Sequence, residues 1–303
     1  MKVVVAVSGG VDSVALLDLL AKKKLAPFLG RELPVIELLG IAHFNHRIHR
    51  DADKHQEFVK KLAAQYKLPF FTQRTGKKLT SEADARAARY KFLRNVEKKT
   101  GADAIALAHH ADDQVETVLL NVIRGTGLLG LGGMSELRDK LWRPLVDTFK
   151  KDIYEYAKKR RLKFVHDPTN DDPTYSRNFI RLRIIGEMGR INPRVREAFL
   201  RVARHAREGN ELAEMLAGEF LRRMEESKTI PLTEFCALPP AVSKAVVREI
   251  YFREVGNLQK IEGLHVNEIL VLAQNQAGNK QKKFGELTFK TAKHEGARVL
   301  TWS

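Results

Sequence analysis

The chain has 303 residues, a length at which a single hydrophobic core commonly divides into two or three domains. Hydrophobic residues make up 44% and charged residues 30%, and these globular values exclude a chain that is disordered from end to end. The one cysteine, Cys236, excludes a disulfide framework, a cysteine-built zinc site and a Cys-x-x-Cys redox pair. No apolar run reaches the roughly 18 residues of a membrane span, and a strand-like run starts at Lys2 with no room for a signal peptide, so we expect a cytoplasmic protein.

The first part of the chain alternates strand-like and helix-like segments. Apolar runs predict strands over Lys2–Val7, Val35–His43, Pro69–Thr72 and Asp103–Ala108. Helical spacing of apolar residues predicts helices over Val11–Lys24, Ala52–Tyr66, Ser81–Lys98 and Asp112–Arg124. Strands that alternate with helices pair in parallel, so the pattern predicts an α/β fold with a doubly wound, mostly parallel sheet.

The alternation stops near residue 130. Further helices are predicted over Lys150–Arg161, Arg194–Met224, Ala241–Val255 and Val266–Ala273. Two strands are predicted in the tail, over Lys282–Lys290 and Ala297–Trp302. We therefore expect a first domain over residues 1–190, a helical linker over residues 191–228, and a smaller helical or α+β C-terminal domain over residues 229–303.

A glycine-containing loop joins the first predicted strand to the first predicted helix. Its six residues are Ser8, Gly9, Gly10, Val11, Asp12 and Ser13. Glycines allow a tight turn and a close approach to a ligand, and the N–H groups and dipole of a helix N-terminus favour an anion. An ordinary strand-to-helix turn is the alternative, but the two serine hydroxyls in this context favour a phosphate site. The loop is not a Walker loop, because it contains no lysine.

Polar residues also follow two other predicted strands. His109, Asp112 and Asp113 come after the fourth strand, while His43 and Asn45 come at the end of the second. Ligands of parallel sheets bind beyond the carboxyl ends of the strands, so these residues and the loop are expected on one rim. Asp112 is expected to be the N-cap of its helix, whereas Asp113 and His109 are expected to be functional, and His43 and Asn45 to line the nucleotide site.

The chain carries a large excess of positive charge. Lys and Arg number 53 against 37 Asp and Glu, a formal net charge of +16, which attracts polyanions such as nucleic acid. A solvated surface is the alternative. The helix after Ser81 carries Arg86, Arg89 and Tyr90 at helical spacing. A segment with nine arginines, here called the basic stripe, favours phosphate binding. Its arginines are Arg177, Arg181, Arg183, Arg190, Arg194, Arg196, Arg201, Arg204 and Arg207.

Together these motifs resemble the tRNA(Ile)-lysidine synthase family of PP-loop ATP pyrophosphatases. The matching strings cover about residues 3–195 in the family's order. They are Ser8–Leu16, His43–His46, Ser81–Leu93, His109–Met134, Arg143–Leu145 and Asp167–Arg183. Departures from the family pattern include Phe179 and Leu182, beside Arg181, and the pair Lys150-Lys151. The glycine-containing loop Ser8–Ser13 resembles the family's PP-loop and is called the PP-loop below. None of the departures falls in it or at Asp113.

The resemblance implies a ligase that forms a C–N bond. It implies that ATP adenylates the wobble cytidine of the CAU anticodon of tRNA(Ile), that free L-lysine attacks C2, and that AMP and pyrophosphate are released. It further implies Mg²⁺ near Asp12, lysine bound by Asp113, and Arg89 and Arg181 on the cytidine, the α-phosphate or the lysine. The C-terminal domain is expected to recognise tRNA, and the protein to form a homodimer. The arginines expected to bind tRNA are Arg177, Arg183, Arg190, Arg194, Arg196 and Arg201.

The residues alone leave three other functions as alternatives. A PP-loop tRNA thiolase would use paired cysteines, and Cys236 alone opposes this. A PP-loop amidating synthetase for a small metabolite would need an ammonia source and would not need the basic stripe. A non-enzymatic RNA-binding module would not need an intact PP-loop together with Asp113 and Arg181.

Overall fold

The structure is a computed structural model. It describes residues 1–46, 52–75, 82–165, 174, 176–224, 228–256, 258, 261, 263–275, 280–294 and 296–303. Ser81, the first residue of a predicted helix, and residues 167–173 and 175 of the family string Asp167–Arg183 lie outside these residues. The chain forms two compact units. The first comprises Met1–Leu120 and Gly133–Arg201, and the second comprises Asn121–Gly132 and Val202–Ser303. The domain boundaries predicted from the sequence remain a prediction.

The first unit is built on a six-stranded, mostly parallel sheet. Its strand order is β3-β2-β1-β4-β6-β5, and only the β5–β6 hairpin is antiparallel within the described pairings. The strands are β1 (Lys2–Ala6), β2 (Glu37–Asn45), β3 (Phe70–Arg74), β4 (Ala104–Ala106), β5 (Leu137–Arg138) and β6 (Leu141–Trp142). The four predicted strands are confirmed with small shifts of their ends, and β5 and β6 extend the sheet beyond the predicted alternation.

Helices accompany these strands and continue into the second unit. The helices up to residue 131 are α1 (Val11–Ala21), α2 (Leu25–Leu29), α3 (Ala52–Tyr66), α4 (Glu82–Thr100), α5 (Ala111–Ile123) and α6 (Leu128–Leu131). After them come α7 (Lys150–Lys159), α8 (Ser176–Phe179), a π-helical turn (Ile180–Ile184), α9 (Ile185–Ile191) and α10 (Val195–Arg223).

Both faces of the parallel sheet are covered, as a doubly wound fold requires. Successive strand residues point to opposite faces. Val3 and Val5 of β1 pack with residues of α1, α3 and α7, whereas Val4 packs with Phe92 and Leu93 of α4. All three valines are fully buried, which explains why β1 is a continuous apolar run. The predicted fold class is confirmed.

A buried carboxylate ties α7 to α1. Asp18 of α1 is 1% exposed and accepts hydrogen bonds from Tyr66 Oη at 2.7 Å, Tyr156 Oη at 2.6 Å and Arg160 Nε at 3.1 Å. Burial alone would raise the pKa of Asp18, but the Arg160 and tyrosine donors outweigh it and lower that pKa. The contact fixes the helix that follows the PP-loop.

The second unit has an antiparallel sheet packed against helices. Its strands are β7 (Thr229–Pro231), β8 (Gln281–Phe284), β9 (Leu287–His294) and β10 (Ala297–Trp302), in the order β7-β10-β9-β8. Its later helices are α11 (Leu232–Ala237), α12 (Pro240–Val255) and α13 (Gly263–Gln274). The single strand predicted over Lys282–Lys290 was wrong. Gly285, with a φ of 58°, turns that segment into the β8–β9 hairpin. No helix in the described part of the chain is long and apolar enough to cross a membrane.

Candidate functional site

The PP-loop is shaped by the hydroxyl of Ser13. Ser13 Oγ accepts the backbone N–H groups of Ser8 and Gly9, both at 3.2 Å, and lies 2.9 Å from the carbonyl oxygen of Gly10. Gly9 has a φ of 103°, and a Cβ there would lie 2.8 Å from Val165. Only glycine therefore fits at this position. The N–H groups of the first turn of α1 have no partners within the helix, which makes the loop suited to phosphate.

Three helix N-termini meet around His110. Its Nε2 lies 3.7 Å from Asp12 Oδ2 and 3.6 Å from Asp113 Oδ2, and its Nδ1 lies 3.7 Å from Asp112 Oδ2. Asp12 lies in the first turn of α1, and the other two aspartates lie in the first turn of α5. Lys150, at the start of α7, places its Nζ 3.8 Å from Asp12 Oδ2. The PP-loop and the start of α5 thus share one site, as the sequence predicted.

The cap of α5 differs from the prediction. His110 stands at the N-cap position, because its N–H donates to Asp113 Oδ2 at 3.0 Å while its Nδ1 accepts the N–H of Asp113 at 3.4 Å. This reciprocal pair is a capping box, so Asp112 is not the N-cap. Asp112 instead accepts the N–H of Lys150 at 2.9 Å and pairs with Arg196 Nε at 3.3 Å. Sequence reasoning missed His110, although its place before an acidic first turn was visible.

Asp12 is the residue best suited to contact a cation. Burial raises the pKa of its carboxyl, while His110 and Lys150 partly offset that rise. Its Oδ1 is buried and has no hydrogen-bond partner among the described residues. Among the described residues, no group of three or more His, Cys, Asp or Glu side chains is arranged to hold a metal ion. One free carboxylate oxygen fits Mg²⁺, which commonly binds through one or two carboxylates plus substrate phosphates.

Glu116 is a second residue that sequence reasoning missed. It lies one turn after Asp113 on α5, its side chain is 3% exposed, and its Oε1 is 3.7 Å from Arg181 Nη1. Burial, followed by the charge of Asp113, raises the pKa of Glu116 to about 7, although Arg181 and Arg177 act in the opposite direction. Arg181 also donates to Asn178 Oδ1 at 2.7 Å. Asp113 and Glu116 therefore form an acidic pair, and the cation Arg181 lies beside Glu116.

A cationic cluster surrounds His109. Arg86 and Arg89 lie 4.8 and 5.4 Å from the ring centroid of Tyr90, and Arg143 adds a further charge. Burial and then these arginines lower the pKa of His109 well below its usual value, so the ring is neutral at pH 7. Among the described residues, nothing pairs with the buried Arg89 Nε, Arg143 Nε or His109 Nδ1. Unpaired buried donors beside arginine charge suit an anionic or polar ligand.

His43 and Asn45 make structural contacts at the end of β2. His43 Nδ1 lies 2.8 Å from the carbonyl oxygen of Val7, and because a carbonyl only accepts, Nδ1 carries the proton. Burial lowers the pKa of His43, so the ring is neutral. Asn45 Nδ2 donates to Asp53 Oδ1 at 2.9 Å and to Gln56 Oε1 at 3.1 Å, at the start of α3. Their expected contact with ATP stays a prediction.

The basic stripe does not form one uniform surface. Arg177 contributes charge to the cluster at His109, while Arg190 pairs with Glu187 at 2.9 Å. The stripe residues of the first unit that are exposed are Arg183, Arg190, Arg194, Arg196 and Arg201. Arg204 and Arg207 belong to the second unit, where Arg207 donates to the carbonyl oxygen of Gly132. The stripe therefore combines site residues with surface residues, and its role in tRNA binding stays a prediction.

Comparison with known proteins finds a PP-loop domain and related synthases. A family model described as a PP-loop domain matches residues 1–188. A tRNA(Ile)-lysidine synthase from Petrotoga mobilis is 30% identical over 288 residues, which cover 88% of this chain and 89% of that protein. One from Thermotoga sp. (strain RQ2) is 41% identical over 209 residues, 66% of this chain and 48% of that protein. The chain thus spans about half the length of some relatives.

One solved structure with the same fold is a U34-tRNA thiolase from Methanococcus maripaludis with its [4Fe-4S] cluster. It is 20% identical, has a TM-score of 0.53, and covers 68% of this chain and 71% of that chain. At this identity the likeness concerns the fold alone.

Proposed function

Since this chain belongs to the tRNA(Ile)-lysidine synthase family of PP-loop proteins, we propose that it joins L-lysine to C2 of the wobble cytidine in the CAU anticodon of tRNA(Ile). The reaction would take place in the cytoplasm and would use ATP, Mg²⁺ and the tRNA. The observation that carries the proposal is the shared site of the PP-loop and the first turns of α5. His110 lies 3.7 Å from Asp12 and 3.6 Å from Asp113, which supports a phosphate site beside the acidic pair Asp113–Glu116.

The first half-reaction uses the PP-loop. The ring oxygen at C2 attacks the α-phosphorus of ATP, and pyrophosphate leaves. The loop N–H groups and the N-terminus of α1 stabilise the charge that develops on the phosphates. Asp12 Oδ1 would hold Mg²⁺, which neutralises phosphate charge when bound. Adenylation comes first because it converts a poor leaving group, the ring oxygen, into AMP.

The second half-reaction uses the acidic pair. Asp113 binds and orients the ε-ammonium group of lysine. Glu116 accepts a proton from that group, so that the neutral ε-amine can attack C2. A carboxylate with a pKa of about 7 is well matched to this role. Arg181, beside Glu116, provides a positive charge for the carboxylate of lysine or for the α-phosphate. AMP leaves as the C–N bond forms.

The cationic cluster would receive the tRNA. A wobble base in a single-stranded loop can be splayed from its stack and bound in a pocket. Arg86, Arg89 and Arg143, with their buried donors around His109, offer charge and hydrogen bonds for this nucleotide. The exposed arginines of the basic stripe and the second unit would bind the tRNA backbone. A homodimer, as the resemblance implies, would be compatible with this arrangement.

Labelled-lysine transfer tests the proposal. The protein is mixed with ATP, Mg²⁺, radiolabelled lysine and unmodified tRNA(Ile) bearing CAU, with methionine tRNA as the control. We expect ATP-dependent label in the first tRNA alone. Label in neither tRNA, with pyrophosphate still released, would indicate a different nucleophile and return attention to an amidating synthetase.

The site assignment is tested with Asp113→Asn. An asparagine oxygen can still accept the N–H of His110, so the capping box of α5 is retained while the charge is removed. We expect transfer to fall by at least about a hundredfold, because a nucleophile that is no longer held in the right orientation loses roughly that factor, while filter binding finds tRNA affinity nearly unchanged. Full activity of this variant would contradict the role of Asp113.

A further inference from the structure

A lysine from a distant part of the chain reaches the PP-loop. Lys150 is the first residue of α7, and its Nζ lies 3.8 Å from Asp12 Oδ2. This distance is an ion pair without a hydrogen bond, so the donors of the ammonium group are not committed to Asp12. The side chain is 48% exposed, which leaves the group open to a ligand. The PP-loop itself, Ser8–Ser13, contains no lysine.

The packing of α7 on α1 determines where Lys150 lies. Its N–H is held by Asp112 Oδ2 at 2.9 Å. Tyr156, six residues further along α7, donates to Asp18, which is six residues beyond Asp12 on α1. Six residues advance each helix by about 9 Å, so the two helices run side by side in the same direction with their N-termini together. Lys150 therefore belongs to a fixed framework.

We propose that Lys150 binds the β- and γ-phosphates of ATP and the pyrophosphate that they become. This inference rests on the proposed function, because it requires ATP at the PP-loop. In the adenylation step a bond forms between the α-phosphorus and the ring oxygen at C2. The bond from the α-phosphorus to the bridging oxygen breaks, and that oxygen keeps the electron pair as pyrophosphate departs. Lys150 stabilises this negative charge and transfers no proton.

Lys151 provides a matched control. It is the next residue of α7, it carries the same charge, and it is exposed. Its Nζ lies 5.9 Å from the ring centroid of Phe149, a cation–π contact. Replacing either lysine removes one charge from the same turn of α7, but only Lys150 contacts a residue of the PP-loop in the described contacts. A difference between the two variants therefore reports position and not net charge.

The test is calorimetric binding of inorganic pyrophosphate and of AMP, each with Mg²⁺, to the full chain. Wild type is compared with Lys150→Met, Lys150→Arg and Lys151→Met. We expect Lys150→Met to weaken pyrophosphate binding at least about tenfold and to change AMP binding less than about twofold. We expect Lys150→Arg and Lys151→Met to bind pyrophosphate within about threefold of wild type.

Three results would overturn the inference while leaving the proposed function in place. They are an unchanged pyrophosphate affinity in Lys150→Met, an equal loss of pyrophosphate affinity in Lys151→Met, and an equal loss of AMP affinity in Lys150→Met. If the wild-type protein binds ATP and Lys150→Met binds pyrophosphate as tightly as wild type, only the role of Lys150 is contradicted. A wild-type protein that binds neither ATP nor pyrophosphate contradicts the proposed function and this inference together.

Discussion

Glu116→Gln should stabilise the protein at alkaline pH while it removes activity. The pKa of Glu116 is raised from 4.5 to about 7 in the folded state. A raised carboxyl pKa means that the folded state binds the proton more tightly, so wild-type stability falls as pH rises from about 4.5 to about 7. At about 1.4 kcal/mol for each pKa unit, the ionised carboxylate costs about 3 kcal/mol at pH 8 and under about 1 kcal/mol at pH 5. Glutamine has nearly the same shape and never ionises.

The assay is urea unfolding of both proteins at pH 5 and pH 8, at one ionic strength. We expect the variant to exceed wild type by about 2–3 kcal/mol at pH 8, with most of the difference lost at pH 5. Lysine transfer should be lost, since the proton acceptor is gone. Glu187→Gln is the control, because that side chain is 72% exposed and its change should stay within about 0.5 kcal/mol. A variant no more stable than wild type at pH 8 would refute the reasoning.

Two further predictions concern tRNA binding and helix pairing. Replacing three exposed arginines by alanine should weaken tRNA binding and reduce the slope of log affinity against log salt by about two, and an unchanged slope in filter binding would place the tRNA elsewhere. These arginines are Arg194, Arg196 and Arg201. Asp18→Ala should lower the free energy of unfolding by about 2–4 kcal/mol, because Tyr66 and Tyr156 lose a buried charged acceptor. A loss below about 1 kcal/mol in urea unfolding would contradict this role.

The PP-loop and the parallel sheet were predictable because their determinants are local. Six consecutive residues carry the loop, and the apolar runs of the strands are contiguous. The rule that the carboxyl ends of parallel strands share one rim places Asp12 and Asp113 together from the sequence alone. The β8–β9 hairpin was missed because its two-residue turn, Gly285-Glu286, is too short to interrupt the apolar pattern clearly.

Contacts between segments that are distant in the sequence could not be predicted from local patterns. The departure Lys150-Lys151 lies outside the PP-loop in sequence, yet α7 brings Lys150 to Asp12 across 138 positions. The pKa of Glu116 likewise depends on burial and on Arg181, neither of which a local pattern contains. His110 is the intermediate case, because an N-cap position is local but a histidine seldom holds it.

The acidity of the site follows from its helix geometry. The N-termini of α1, α5 and α7 bring three positive dipole ends together, and Lys150 adds a positive charge. Asp12, Asp112 and Asp113 offset that charge, while one oxygen of Asp12 stays unpaired. Under the proposed function, ATP, pyrophosphate and a cationic lysine occupy this site in turn, and both signs of charge are then needed there.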